Sequence, residues 1–288
     1  MSRIVHLNGQ FVPENEAKVS VFDRGYLFAD GVYEVSAVID GKLIDFEPHM
    51  DRLARSLGEL EIAWPVTRDA LRQVHEDLMA RNDLREGRIY MQVTRGVSER
   101  DFGYPKDTSS TLLAFTQAAR VLSDPKAETG VNAISIPDIR WKRRDIKSIA
   151  LLAQCMGKQR AIEAGAYEGW MHEDGYVTEG TSSTAYIVAD GRIVTRGLSN
   201  AILPGVTRLA ILRLARERGM TLEERPFSLD EAYAAQEAFL TSASAIVLPV
   251  VELDGRPIGD GRPGAIAKRL RALYLEEALS ESAVTRRA

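Results

Sequence analysis

An α+β protein of two domains is the architecture this sequence predicts, on three observations. Asn-Gly or Asp-Gly pairs sit between short apolar runs at five places, helical periodicities alternate with them, and a polar segment holding both proline and glycine divides the chain. At 288 residues the chain suits two domains, because a single hydrophobic core rarely grows beyond roughly 250 residues.

The pairs are Asn8-Gly9, Asp40-Gly41, Asp174-Gly175, Asp190-Gly191 and Asp254-Gly255. Such pairs tolerate the positive φ angles of two-residue hairpins, so each predicts a hairpin and the sheets are expected to be largely antiparallel. After Pro48, Met50, Leu53, Leu57 and Leu60 recur at helical spacing, and a second helix is expected over Ala70 to Arg81. Ser148 to Glu163 is rich in helix formers and stops at Ala164-Gly165; a further helix is expected from about Val206 to Gly219. Leu122 to Gly130 is polar and broken by Pro125 and Gly130, as a linker or long loop would be. The boundary is therefore placed there, giving a small N-terminal domain over 1–121, a linker over 122–130 and a larger C-terminal domain over 131–288. The tail after Leu279 is too polar to pack strongly.

Composition narrows the function classes. The formal charge of -4 is spread rather than blocked, which argues against a nucleic-acid partner. No apolar run approaches the roughly 20 residues of a membrane span, and Met1 to His6 enters a strand pattern without a signal-peptide core. A cytoplasmic protein is expected. Cys155 is the single cysteine and the four histidines lack metal-ligand spacing, so neither an internal disulfide nor a zinc centre is expected.

Lys147 follows Asp145-Ile146, precedes Ile149, Leu151 and Leu152, and lies just before the helix start expected at Ser148. A helix N-terminus with Arg143 and Arg144 nearby would disfavour the ammonium form and so make a usable amine nucleophile. On these features alone a structural role ranks above a catalytic one. Leu203-Pro204-Gly205-Val206-Thr207 puts a Pro-Gly turn directly before a helix, so the amides of Val206 and Thr207 and the Thr207 hydroxyl could meet an anion; an ordinary turn explains the pattern equally well. Arg52 lies closer to the apolar stripe of its helix than Arg55 does, and could turn a planar fork inward to a phosphate, although most helical arginines face water. Glu179 reads, by itself, as a glutamate at a strand end after a hairpin.

Motif order adds a resemblance. Asp138-Ile139-Arg140-Trp141, Asp145-Ile146-Lys147-Ser148, Leu151-Leu152 and Lys158-Gln159 resemble the segment around the Schiff-base lysine of fold class IV pyridoxal 5′-phosphate-dependent aminotransferases, and within them the D-amino acid aminotransferases. Tyr176-Val177-Thr178-Glu179-Gly180-Thr181-Ser182-Ser183 resembles the second signature of that family, and the similarity runs from Asn8 to about Gly264. The resemblance implies the two-domain α+β fold of the family, with most of the cofactor site on the C-terminal domain. Lys147 would carry the cofactor, and Glu179 would pair with its pyridinium nitrogen, keeping the ring able to accept electrons. Phosphate contacts would come from Arg52, Val206, Thr207 and the loop at Ser242 and Ala243, with Ala243 standing where the family can have a hydroxyl.

Asp23-Arg24-Gly25-Tyr26 and Asp30-Gly31-Val32-Tyr33-Glu34-Val35 resemble the early family signature, in which Tyr33 would line the substrate pocket. Thr94-Arg95-Gly96 followed by Ser98-Glu99-Arg100-Asp101-Phe102 looks like the loop whose arginine, here Arg100, holds the substrate α-carboxylate. Phe102 departs from the family pattern, which has a histidine at that position. In the family this loop reaches the pocket of the neighbouring subunit, so a homodimer is implied. The expected reaction is transamination between a D-amino acid and a 2-oxo acid. A branched-chain L-amino acid aminotransferase and an aminodeoxychorismate lyase of the same fold are the alternatives, with a non-enzymatic binding protein behind both.

Overall fold

The computed structural model describes residues 2–284, with side chains through residue 280. Two compact units form: residues up to Val121 together with Ile146–Ala150, and Leu122–Asp145 together with the chain from Leu151 onward.

In the first unit, β1 (Ile4–Leu7) and β2 (Gln10–Pro13) precede α1 (Arg24–Phe28), β3 (Gly31–Ile39) and β4 (Lys42–Leu43). Then come α2 (Phe46–Glu59), α3 (Arg68–Arg81), β5 (Gly87–Thr94) and β6 (Thr111–Ala118). The six strands lie in the order β2-β1-β6-β5-β3-β4, antiparallel throughout. Asn8-Gly9 and Asp40-Gly41 close hairpins with φ positive at both residues, 47° and 86° in the first and 51° and 69° in the second. α2 starts two residues before Pro48, whose missing N–H falls in the first turn where the helix has no acceptor for it. Met50, Leu53 and Leu57 of α2 bury against Leu71 and Leu78 of α3 and Val32, Ile89, Met91 and Leu112 of the sheet.

Ile146 belongs to this same core, and it draws a short piece of later chain back onto β3. The Tyr33 amide donates to the Lys147 carbonyl and the Ile149 amide to the Gly31 carbonyl, each at 3.0 Å, with Val32 and Ser148 bridged antiparallel. The residues around Lys147 thus make a tight turn, the Ser148 amide donating to the Ile146 carbonyl at 2.8 Å, and do not open a helix at Ser148. Apolar Ile146 and the pairing with β3 outweigh the helix propensity of Ser148 to Leu151.

The second unit contains α4 (Lys126–Thr129), β7 (Val131–Pro137), α5 (Leu152–Glu163), β8 (Glu168–Glu173), β9 (Tyr176–Gly180), β10 (Thr184–Ala189) and β11 (Arg192–Thr195). α6 (Val206–Glu217), β12 (Leu222–Glu224), α7 (Leu229–Tyr233), β13 (Glu237–Ser242), β14 (Ile246–Leu253), β15 (Arg256–Pro257) and α8 (Ala265–Val284) complete it. The sheet runs β12-β11-β10-β13-β14-β7-β8-β9, with β15 on β14. The Asp174-Gly175, Asp190-Gly191 and Asp254-Gly255 turns close the β8–β9, β10–β11 and β14–β15 hairpins, again with positive φ at both residues. Three pairs, β11–β12, β14–β7 and β7–β8, are parallel. Turn signals reveal hairpins only, so these crossovers leave no comparable mark. The stretch read as a linker holds the helical turn α4, with Ala127 in the core of this unit beside Trp170, Leu240 and Leu248. α8 carries the tail on to Val284, while residues 285–288 of the same stretch lie outside the described residues.

Candidate active site

Lys147 is half-buried in the first unit. Its amide donates to Ser56 Oγ of α2 at 3.2 Å, and its Nζ stands 4.0 Å from the centre of the Tyr33 ring. The helix that follows it, α5, begins only at Leu152, and the neighbouring arginines are engaged: Arg143 with Asp145, and Arg144 with Glu173 and Asp138. Tyr33 stacks on Tyr90 and Tyr90 on Phe115, with centroids 5.6 and 5.0 Å apart, an aromatic row across β3, β5 and β6 that fixes the ring beneath the amine. β3 alternates faces, so Glu34 points the other way, into the side covered by α2.

There Arg52 grips Glu34 in bidentate fashion, Nε to Oε1 at 2.8 Å and Nη2 to Oε2 at 2.7 Å, while His49 Nδ1 lies 2.7 Å from Glu34 Oε2. Burial alone would raise the Glu34 carboxyl; the Arg52 charge and the hydrogen bonds from Arg52 and His49 outweigh it and hold the group at about 2. Arg52 does turn inward, and an inward phosphate would have to share its guanidinium with Glu34.

Arg100 is exposed, and Phe102 is 78 % exposed. The Arg100 guanidinium carbon lies 5.4 Å from the Phe28 ring centre and 5.7 Å from that of Phe102, and the two rings are 5.6 Å apart. Phe102 therefore offers Arg100 an aromatic face and no side-chain hydrogen-bond donor.

In the second unit Glu179 is a buried carboxylate of β9, not an exposed strand end. Arg140 Nη1 donates to it, as does the Leu203 amide, at 3.2 and 3.3 Å to its two oxygens. Arg140 is itself held by Asp138, which also accepts the Thr178 hydroxyl at 2.7 Å. Burial pushes the Glu179 carboxyl up, opposed by the charge and hydrogen bond of Arg140 and by the Leu203 amide. The guanidinium keeps its proton in proteins, so Arg140 places a fixed positive charge against Glu179.

α6 opens at Val206 and Thr207, both buried, behind Gly205, whose missing side chain leaves the first-turn amides without a side-chain acceptor. A Cβ on Gly205 would come within 3.0 Å of Thr184 Oγ1, so glycine permits this approach. Between β13 and β14, Ser242 Oγ accepts the Ala245 amide at 3.1 Å and lies 3.2 Å from Ser244 Oγ, with Ala243 half-buried between the two serines.

Several partners were not readable from the sequence. Glu34 and His49 for Arg52, and Asp138 and Arg140 for Glu179, come from distant positions or from motif residues without an evident role. Glu168 is another: buried, it collects the hydroxyls of Thr181, Ser182 and Ser183 and the Gly169 amide, fixing the segment after Glu179. Nothing about an isolated glutamate beside Gly169 signals that task.

The sequence matches the family described as Amino-transferase class IV over residues 31–253, and the chain belongs to that family of enzymes. Class IV aminotransferases work with pyridoxal 5′-phosphate. Among relatives, the chain is 40% identical over 268 residues to a D-alanine aminotransferase of Staphylococcus aureus (strain N315), covering 93% of this chain and 95% of that one. It is 38% identical over 281 residues to a D-alanine aminotransferase of Bacillus licheniformis, covering 98% and 99%. Its fold matches the branched-chain aminotransferase of the thermophilic archaeon Thermoproteus uzoniensis with norvaline, with a TM-score of 0.85 at 26% identity, covering 97% of this chain and 96% of that one. Among the described residues no helix is long and apolar enough to cross a membrane.

Proposed function

We propose that this enzyme transfers an amino group between a D-amino acid, of the D-alanine or D-glutamate type, and a 2-oxo acid, with Lys147 as the catalytic residue. The observation that carries the aminotransferase chemistry is Glu179, a buried carboxyl group paired with Arg140. The residues fit the cofactor by their chemistry: a half-buried amine for its aldehyde, a buried carboxylate for its ring nitrogen, uncapped helix amides for its phosphate. When bound, pyridoxal 5′-phosphate supplies a conjugated ring that withdraws electrons from the substrate Cα. Glu179 holds a proton at the ring nitrogen. Lys147 Nζ would accept the proton at the substrate Cα and, as its conjugate acid, deliver it to the cofactor C4′, the reverse transfer serving the 2-oxo acid half-reaction. The Val206 and Thr207 amides, the Thr207 hydroxyl, Ser242 and the Ala243 amide bind phosphate, and Arg52 contributes charge. In this reading most of the cofactor contacts come from the chain after the 122–130 segment, although Lys147 packs with the N-terminal unit.

Tyr33 lines the substrate pocket and Arg100 takes the α-carboxylate, Phe102 flanking the guanidinium without donating to it. The D hand is supported by the identity to D-alanine aminotransferases of two genera; the likeness to a branched-chain aminotransferase at 26% identity supports the L-branched-chain reading as second. A cytoplasmic homodimer is part of the proposal. Val21, Phe22, Val97, Phe102 and Tyr104 are exposed on two loops joined by the Asp23–Val97 bridge, with Tyr26 exposed on α1, an apolar surface suited to a second copy.

The test is the absorption spectrum of the purified protein. It is expected to be yellow, to bleach on addition of D-alanine or D-glutamate, to recover with a 2-oxo acid, and to stay yellow with L-alanine. Borohydride is expected to fix the cofactor to the Lys147 peptide. Bleaching by L-leucine or L-valine in preference to either D-amino acid would hand the function to the branched-chain reading, and label on Lys142 or Lys158 would overturn the assignment of Lys147.

A further inference from the structure

Arg24 is a charged side chain in a place where charge is costly. It is 3 % exposed, and its Nε donates to Asp30 Oδ2 at 2.7 Å. That carboxylate is already taken: Arg95, also buried, reaches the same Oδ2 through Nε at 2.8 Å and Oδ1 through Nη2 at 3.1 Å. One carboxylate cannot satisfy two guanidinium forks, and the remaining donors go to backbone carbonyls. Those of Arg95 go to Glu61 and Leu60, at 2.9 and 2.6 Å. Arg24 Nη1 goes to the Asp101 carbonyl at 2.6 Å and Nη2 to that of Phe102 at 3.5 Å.

Asp101 and Phe102 directly follow Arg100, so the buried fork holds the loop at the two peptides beyond the substrate-carboxylate arginine. The backbone of the same residue is tied in as well, its amide donating to the Gly96 carbonyl at 2.8 Å, where the loop begins. The Phe28 ring forms a second link. Arg24 lies 4.8 Å from its centre and Arg100 5.4 Å, so both guanidiniums pack on one aromatic side chain. The anchor leads back to the strand that carries Tyr33: Asp30 immediately precedes β3, and its carbonyl accepts the Arg95 amide at 3.1 Å.

We propose that Arg24 is a positioning residue for substrate recognition: through the Asp101 and Phe102 carbonyls and the shared Phe28 ring it fixes the loop that presents Arg100 to the substrate carboxylate. This rests on Arg100 being the carboxylate residue. A planar fork is required, because a lysine ammonium at the end of a flexible stem cannot hold a carboxylate and two successive carbonyls in fixed directions.

The test is a double-mutant cycle on the full-length holoenzyme, reading KM and kcat for the better of D-alanine and D-glutamate, with cofactor content and melting temperature measured alongside. Arg24→Lys is expected to raise KM about tenfold while kcat changes less than twofold and the cofactor spectrum is unchanged. In Arg100→Ala the same Arg24→Lys change is expected to add less than twofold, because the positioned group is gone. Phe28→Leu leaves the buried charges intact and supplies a second route should Arg24→Lys fail to fold; it is expected to raise KM two- to fivefold in wild type and not in Arg100→Ala. Effects that persist undiminished in Arg100→Ala, or a fall in kcat with cofactor loss at constant KM, would overturn the proposal. If Arg100→Ala itself leaves KM unchanged, the failure lies with the assignment of Arg100.

Discussion

Glu179→Gln separates the two things the Glu179 carboxylate does, because glutamine can still accept from the Leu203 amide and from Arg140 but carries no charge to hold a ring nitrogen protonated. Turnover is expected to fall by about 100-fold, a typical cost of losing a positioned electrostatic group, while cofactor stays bound. Unchanged turnover would reduce Glu179 to an anchor for Arg140. Measuring kcat and bound cofactor on the same preparation distinguishes the outcomes. Glu179, Lys147 and Arg52 could be singled out in the sequence as candidates because each sits in a motif. What surrounds them could not. Arg52 reads as an inward arginine from its place on the stripe, yet its bidentate hold on Glu34 joins residues on different elements, and no local spacing encodes that pairing. The helix terminus expected to tune Lys147 is absent for a similar reason: the burial of Ile146 in a distant core decided the local conformation.

At the scale of elements, short-range chemistry was readable and long-range pairing was not. All five Asn-Gly and Asp-Gly hairpins occur, because a turn with φ positive at two successive positions is set by the two residues that make it. The return of residues 146–150 to β3 depends instead on fit, and Gly31 is where that fit is tightest. A Cβ there would sit 2.7 Å from the Val93 carbonyl on one side and 3.0 Å from Ile149 Cδ1 on the other. Gly31 pairs with Thr94 of β5 while its carbonyl accepts the Ile149 amide, so a methyl group must press on the β5 backbone or turn the Ile149 side chain and load the Lys147 segment. The backbone of β5, paired along its length with β6, has less freedom to move. Gly31→Ala is therefore expected to displace the Lys147 segment. The cofactor absorption band should weaken, and stability should fall by about 1 to 3 kcal/mol, the usual cost of overpacking. An unshifted spectrum in a variant that melts like wild type would show that the segment yields without consequence for Lys147.

For the molecule as a whole, acid should weaken the fold in two stages that different buried groups in the first unit produce. His75 of α3 is fully buried, its Nδ1 2.7 Å from the Leu71 carbonyl and its ring edge-on to Phe46. Burial lowers its pKa to about 4; the Leu71 carbonyl opposes that shift, and the charges of His49, Arg72 and His6 add to it. The unfolded chain protonates this imidazole near its ordinary 6.5, whereas the folded chain waits until about 4. Between those values the unfolded state binds the extra proton, so stability rises with pH and is lost as pH falls, by about 1.4 kcal/mol per unit for one proton. Glu34 acts in a lower window. Its folded pKa of about 2 lies below the ordinary 4.5, so its contribution is complete above 4.5 and drains away as pH falls toward 2. His75→Leu removes an imidazole whose Nε2 has no partner among the described residues and replaces it with a side chain that suits the site. Urea titrations from pH 7 to 4 are expected to show a shallower loss of stability in His75→Leu than in wild type, by up to one proton. Carried below pH 4, where His75 is protonated in both states, the two slopes should converge. Some slope between 6.5 and 4 should survive in the variant, since burial lowers the pKa of His6 as well. Parallel curves for the two proteins over the whole range would mean that His75 takes up its proton in the folded state as readily as in the unfolded one, and that the acid sensitivity of this unit arises elsewhere.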